Sequence, residues 1–329
     1  MIVVTGGAGF IGSCLVAALE RAGVSDVVVV DRIDHEAKRR NLLKRRNLAA
    51  FVPPEALADF LERDGHRVEA LFHLGAISST TETDLDLLER VNVVLPRSLW
   101  HFCARRGIPF LYASSAATYG DGAQGFDDAF DGQALRRLEP LNPYGASKHR
   151  FDLEVLRMVS AGEQTPPSWA GLKFFNVYGP NEYHKGGQRS VALALFEQVR
   201  DGGRARLFRS HNPDYVDGGQ LRDFIWVDDC VEAMLALWRQ PRLSGLFNVG
   251  TGRARSFLDL AHAVFAAMDR PVAIDWIDTP EAIRARYQYF TEARVERLRA
   301  AGYAAPFTTL EDGVRRYITD HLSAADPYR

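Results

Sequence analysis

Through the first half of the chain, short unbroken apolar runs alternate with longer stretches whose apolar residues recur every three or four positions. Ile2–Val4, Val27–Val30, Ala70–His73 and Phe110–Ala113 are runs of the first kind. A strand apolar on both faces needs a sheet covered on both faces, which is the habit of parallel sheets. Ile11–Ala22, Leu85–Arg106 and Lys148–Val159 are of the second kind and predict amphipathic helices. The βαβα order predicts an α/β fold built on a doubly wound parallel sheet. Leu172–Asn176 predicts a sixth strand, running into a loop over Pro180–Gly187.

The rhythm then changes. Ser190–Arg200 has helical periodicity and Ala205–Phe208 predicts a short strand. Residues 209–221 are polar and glycine-rich, which predicts an insertion or flexible loop. Phe224–Val227, a helix over Asp228–Trp238, and Leu246–Val249 return to sheet-like patterning, and the tail from Ser256 reads as mainly helical. These shifts divide the chain into a sheet domain, residues 1–176 with about 223–250, and a smaller C-terminal α/β domain from 177–222 and 251–329. No repeat or low-complexity linker separates them, so the two are expected to pack closely.

Composition adds exclusions. Of 329 residues, 47% are apolar and 25% charged, as in ordinary globular chains, and the net charge of −2 gives no reason to expect nucleic acid as a partner. Cys14, Cys103 and Cys230 are too few and too dispersed for a disulfide framework or a zinc site, and His73, His101, His149, His184 and His262 show no metal spacing, so no metal is expected. Trp100, Trp226 and Trp238 sit in apolar settings and read as core. The chain opens directly on a strand-like run, without signal-peptide regions, and no apolar stretch approaches the roughly 20 residues that cross a bilayer. A cytoplasmic protein with no membrane partner is expected.

Two constellations carry chemistry. Thr5-Gly6-Gly7-Ala8-Gly9-Phe10-Ile11-Gly12 joins the first strand to the first helix, with Gly6, Gly9 and Gly12 at every third position. Such a turn brings backbone N–H groups and a helix N-terminus to a pyrophosphate, and predicts a Rossmann dinucleotide site. Asp31, ending the second strand, is placed for the adenosine ribose, as in NAD sites. Arg32 follows it and Lys38 lies just beyond, and cations there suit a 2′-phosphate, so NADP is preferred to NAD. The rest of the basic run, Arg39, Arg40 and Lys44-Arg45-Arg46, reads equally as a solvated helix face. The second constellation is Tyr144-Gly145-Ala146-Ser147-Lys148 with Ser114-Ser115 upstream. Tyr144 and Lys148 fall on one helical face, where a lysine ammonium lowers a phenol pKa from its usual ~10 toward a usable acid–base range.

These motifs resemble the extended short-chain dehydrogenase/reductase family, through TGGAGFIG, SSAATYG and YGASK. Within it, the chain is most similar to the epimerases that act on ADP-linked manno-heptoses. That likeness runs over nearly the whole chain, including Phe72-His73-Leu74-Gly75-Ala76, Ser78-Ser79-Thr80-Thr81-Glu82, Phe175-Asn176-Val177-Tyr178-Gly179-Pro180, His184-Lys185-Gly186 and Arg286-Tyr287-Gln288. The resemblance implies inversion at C6″ of ADP-D-glycero-D-manno-heptose, on the route to lipopolysaccharide core heptose, through transient oxidation by bound NADP. It implies Tyr144 and Lys185 as the two proton-transfer groups, Lys148 as the residue that lowers the phenol and holds the cofactor ribose, and Ser115 as the residue that orients the substrate oxygen. Cofactor contacts are implied at Gly6, Gly9, Phe10, Ile11, Gly12, Asp31, Arg32, Lys38, Leu74, Gly75, Ala76, Ile77, Ser78, Asn92, Val177 and Lys185. Substrate contacts are implied at Ser78, Ser79, Asn176, Gly187, Phe208, Arg209, Ser210, Arg222 and Tyr287, with Arg222 as a diphosphate partner. A homo-oligomer is also implied.

The chain departs from that pattern in places. Pro53 stands where a second cofactor-side basic residue belongs, leaving Arg32 or Arg39 to compensate, Gly187 and Ala194 replace a serine and a histidine, and residues 211–220 are longer than the pattern. Another nucleotide-sugar epimerase or a reductase would share the same redox parts. Ala116-Ala117 occupies the place of a dehydratase's acidic pair, which disfavours dehydration. A non-catalytic NADP-binding sensor would commonly have lost the tyrosine or the lysine, and both are present.

Overall fold

The computed structural model describes residues 1–284 and 287–329. Its largest element is a parallel sheet of β1 (Ile2–Thr5), β2 (Val27–Val30), β3 (Leu48–Val52), β4 (Ala70–His73), β5 (Phe110–Ser115), β6 (Trp169–Phe174) and β10 (Ser244–Val249), in the order β3-β2-β1-β4-β5-β6-β10. Alternate residues of each strand feed different cores. Val3, Val28, Val30 and Leu71 pack with the helices Leu57–Asp64, Leu95–Arg106 and Pro143–Ser160, while Ile2, Val4, Val27, Val29 and Phe72 pack with Phe10–Arg21 and Val227–Trp238. That period-2 division of an all-apolar run is why these segments needed two helical layers. The expected doubly wound sheet is present.

Beyond β6 are smaller sheets, β7 (Asn176–Tyr178), β9 (Leu221–Trp226) and β11 (Ala254–Ser256) in one, and β8 (Ala205–Phe208) with β12 (Ile274–Ile277) in another. They surround a third core in which Phe196, Leu207, Trp226, Val264 and Val314 meet. This is the smaller α/β portion the pattern anticipates.

Several boundaries differ from the sequence reading, each for a local reason. Leu172–Asn176 is two strands, because the chain breaks at Phe175 and β7 leaves the large sheet to pair with β9. The edge strand Leu48–Val52, with its alternating exposure, lacks the apolar run that marks the interior strands. Leu85–Arg106 is interrupted by a π-helical turn at Arg90–Val94. Pro96 has no N–H to offer the carbonyl of Asn92, so the ordinary helical ladder fails there. The helix predicted from Lys148 begins at Pro143, capped by the Asn142 side chain, which accepts from the Gly145 N–H at 2.8 Å. The tail is less helical than its sequence reads, since Ile274–Ile277 pairs in parallel with β8. Among the described residues, no helix is long and apolar enough to cross a membrane.

Candidate active site

At the carboxyl edge of the large sheet, strand order reverses on either side of β1, and the loops after β1, β4, β5 and β6 open onto one cleft of about 690 Å³. Such a switch point is where open α/β sheets leave room for a ligand. The glycine loop lies at one end. Gly6 has φ +69°, and a Cβ on it would lie 2.6 Å from the Gly75 nitrogen; a Cβ on Gly12 would lie 2.1 Å from the Gly6 carbonyl oxygen. The loop therefore nests against the β4 loop with no room for side chains. Gly9 begins the helix Phe10–Arg21 without a side-chain cap, which leaves its first N–H groups available to an anion. A cradle this tight, ended by an uncapped helix, fits a dinucleotide pyrophosphate.

Asp31 closes the loop from the side. Its carboxylate accepts from the Ala8 N–H at 2.9 Å, the Arg32 N–H at 2.7 Å and Lys38 Nζ at 2.9 Å. Lys38 lines the cleft together with Asp31. Arg32 does not line it: its side chain is largely exposed and pairs with Glu55. Of the rest of the basic run, Arg39 and Arg46 are exposed, and three members are held by tertiary contacts. Arg40 stacks on the Tyr328 ring at 4.2 Å, Lys44 pairs with Asp326 at 3.0 Å and Arg45 with Glu20 at 2.9 Å. Arg40 and Lys44 thus strap residues 326–328 onto the sheet unit.

Leu74, Gly75, Ala76, Ile77, Ser78 and Ser79 form one wall of the cleft. Asn92 is not on that wall. It is buried behind it, in the π turn, where its side chain accepts from the Ile77 N–H and donates to the Ile77 carbonyl and the Ser147 hydroxyl, each at 2.9 Å. It fixes the loop rather than facing the cleft.

Ser115, Tyr144 and Lys148 line the middle of the cleft. Burial raises the Tyr144 phenol above its ordinary value, with the Ser115 hydroxyl opposing. The expected depression by Lys148 is not found here. The Lys148 ammonium donates instead to the Ala113 carbonyl at 3.0 Å, and burial lowers it to about 8, against the pull of Asp152. Desolvation penalises the charged form of each group.

Lys185 lies across the same cleft, in the turn Tyr183–Gln188, with its Nζ 5.5 Å above the Phe10 ring centre. Burial lowers it, and Glu182 opposes. Glu182 accepts from the Tyr317 hydroxyl at 2.9 Å and the Ser190 hydroxyl at 2.7 Å, which anchors the turn to both neighbouring helical segments. His184 also lines the cleft, with a buried Nδ1 that has no partner among the described residues. Asn176 and Val177, on β7, complete the far wall. Gly187 is outside the lining, in open space that any side chain would fit.

The remaining predicted contacts gather in a second cluster at the β8–β9 end. Arg222 is buried between the rings of Phe257 and Tyr287, 5.6 and 5.7 Å away, and donates to the carbonyls of Leu221 and Gln288. Among the described residues its partners are carbonyls and rings rather than a carboxylate. Phe208 meets the Tyr287 edge at 6.2 Å. Ser210 accepts nothing from Arg222 but donates to the Asn212 carbonyl at 2.7 Å, and Arg209 points outward to Asp217 at 3.3 Å. The segment 209–221 is pinned rather than loose, since the His211 and Ser210 backbone N–H groups bond Tyr289 and Asp217. Tyr289 is a part of this cluster that the sequence reading missed; the alternation Tyr287-Gln288-Tyr289 was the available signal. Arg286, of the resembling Arg-Tyr-Gln segment, lies outside the described residues.

The sequence profile of the NAD dependent epimerase/dehydratase family matches residues 2–250. The chain belongs to this family. It is 50% identical over 330 residues, with all of both chains covered, to an ADP-L-glycero-D-manno-heptose-6-epimerase of Nitratidesulfovibrio vulgaris. Its fold resembles the Helicobacter pylori ADP-L-glycero-D-manno-heptose-6-epimerase with a TM-score of 0.76 at 25% identity, covering 97% of this chain and 95% of that one. It also resembles the Thermus thermophilus UDP-glucose 4-epimerase complex with NAD, with a TM-score of 0.72 at 26% identity over 95% of this chain and 96% of that one. A nicotinamide cofactor and a nucleotide-sugar substrate belong with this family and this cleft.

Proposed function

We propose that the chain epimerises C6″ of ADP-D-glycero-D-manno-heptose to the L-glycero form. The observation that carries this reading is that Tyr144 and Lys185, from well-separated segments, line one cleft whose end is the glycine cradle. Full-length identity to heptose epimerases supports the choice of sugar.

A nicotinamide dinucleotide held along the cradle would supply a hydride acceptor able to return the hydride, and in its oxidised form a positive charge that favours the Tyr144 phenolate. Gly6, Gly9, Phe10, Ile11 and Gly12 hold the pyrophosphate on backbone N–H groups, and Leu74–Ser78 and Val177 bound the rest of its path. Lys148 would hold the ribose one helical turn from Tyr144. Tyr144 then takes the C6″ hydroxyl proton as hydride leaves the carbon, and Ser115 orients the oxygen. The resulting ketone turns within the cleft, and Lys185 returns a proton to the oxygen on its other face as hydride comes back. Substrate and product differ only in configuration, so no net oxidant is consumed. Arg222, Tyr287 and Phe208 receive the ADP portion, the diphosphate neutralising the buried guanidinium.

We further propose NADP over NAD. Lys38 offsets the Asp31 carboxylate, and Arg32 can exchange Glu55 for a 2′-phosphate. The sheet unit, residues 1–176 with about 223–250, is the cofactor domain in this reading, with 177–222 and 251–329 the substrate domain of a cytoplasmic homo-oligomer. Incubating the purified protein with ADP-D-glycero-D-manno-heptose and separating the 6″ epimers tests the function. Conversion without added reductant is expected; no conversion, with cofactor still bound, would transfer the reading to another nucleotide sugar.

A further inference from the structure

Behind Ser115 and Lys148 is a polar network closed to solvent. Asp152 and Lys173 are wholly buried, with N to O 2.9 Å apart. Asp152 shares the helical face of Tyr144 and Lys148, at i+8 and i+4 from them, while Lys173 comes from near the carboxyl end of β6. The Asp152 carboxylate accepts from the Ser114 hydroxyl at 2.7 Å and the Tyr112 phenol at 3.0 Å, both on β5. Lys173 Nζ donates to the Thr118 hydroxyl oxygen at 2.6 Å, and the Thr118 hydroxyl donates to the Ser115 carbonyl at 2.8 Å.

A buried ion pair is poor evidence of stabilisation, because apolar residues of similar volume commonly serve stability as well or better. What distinguishes this pair is where its bonds go. Three consecutive residues of β5 split their attachments: Ala113 gives its carbonyl to Lys148, Ser114 its hydroxyl to Asp152, and Ser115 its side chain to the cleft. The Asp152 links run to β5, which carries Ser115, and the Lys173 link runs through Thr118 to the Ser115 carbonyl.

We infer that the Asp152–Lys173 pair is a positioning element for proton transfer, bracing β5 and β6 against the helix Pro143–Ser160 so that Ser115 and Lys148 stay in register with Tyr144. This rests on the catalytic reading given above. The pair also acts through charge. Burial drives Lys148 toward the neutral amine, and the Asp152 carboxylate resists this. The other groups around Lys148 give it no such help. His73 on β4 is pushed down to about 3 by burial and by Lys148 itself, so it is neutral near pH 7. Burial also raises the Tyr144 phenol, and Lys173, paired with Asp152 at 2.9 Å, is not among the groups that shift Lys148. His149, near Asp152 and Lys173, is likewise lowered by burial.

The test is the pH–rate profile of the full chain with bound cofactor, for the paired variant Asp152→Asn/Lys173→Met. This variant removes both charges at little change in volume. Turnover is expected to fall about ten- to hundredfold through misplacement of the reacting groups. The alkaline limb is expected to move about half a pH unit or more toward acid, because Lys148 loses the charge that favours its ammonium. A folded variant with wild-type turnover and an unmoved alkaline limb would overturn the inference. Should the pair fail to fold, Ser114→Ala with Thr118→Val cuts the braces and leaves both charges. Reduced turnover with an unmoved limb is then expected, and unchanged turnover overturns the inference. Undiminished activity in Tyr144→Phe would instead remove the catalytic reading beneath it.

Discussion

The two ends of the binding region are built in opposite ways. The cofactor end is assembled from contiguous signals: a strand, a glycine loop and a helix within the first twenty-one residues, and a tyrosine and lysine one turn apart on a single helix. The end proposed for substrate draws Phe208, Arg222, Phe257 and the pair Tyr287 and Tyr289 from four separate stretches, joined by aromatic edges, ring–cation contacts and backbone carbonyls. Its central cation, Arg222, has carbonyl and ring partners but no carboxylate among the described residues, whereas Lys38 and Asp31 at the cofactor end already pair with one another. The cofactor end is therefore organised before ligand arrives, while the substrate end holds an uncompensated charge that a diphosphate would complete.

The comparison can be broken most forcefully at the two residues proposed for proton transfer. Tyr144→Phe is expected to lower turnover by about 10²–10⁴-fold with cofactor still bound, measured by epimer formation beside cofactor content. Retained turnover would show that the cleft's chemistry lies elsewhere. Lys185→Met is expected to cost about 10²-fold, with folding intact by circular dichroism, since Glu182 rather than Lys185 anchors its turn. A loss of structure would make this lysine an architectural one.

Smaller effects sharpen the contrast. Arg222→Ala is expected to raise KM about ten- to hundredfold while cofactor affinity stays unchanged, consistent with losing a charged contact worth about 1.5–3 kcal/mol. A rise in the cofactor Kd instead would show the two ends to be coupled. Lys38→Ala is expected to weaken NADP about tenfold and NAD less, read by titration of both. Equal weakening would mean that Lys38 serves only Asp31.

The same asymmetry explains what the sequence could and could not reveal. Val27–Val30 and Ala70–His73 are strands at the residues their apolar runs mark, because burial on both faces leaves an unmistakable pattern. The glycine spacing likewise reports a local demand, made physical by the 2.1 Å approach a Cβ on Gly12 would suffer. Strand β3 escaped because an edge strand half exposed has no such run. Asn92 could be named but not placed. Its position behind the cleft depends on the π turn that Pro96 enforces, and its partners lie fifteen and fifty-five residues away. Lys38, Arg40 and Lys44 form one basic run in sequence yet serve two structures, a carboxylate in the cleft and the strap at residues 326–328. Only tertiary contact separates them.

Strand β10 gives the large sheet its final strand only after the chain has built β7, β8 and β9 elsewhere. Without it, β6, buried along its whole length, would become an exposed edge with unpaired backbone groups and apolar side chains. The sheet thus cannot outlive the loss of the later chain, and the later chain cannot fold around a sheet it has not finished. Probes of the large sheet and of the later chain are therefore expected to report coincident melting. A fragment ending near residue 176 would expose an aggregation-prone edge instead of yielding an isolated nucleotide-binding domain.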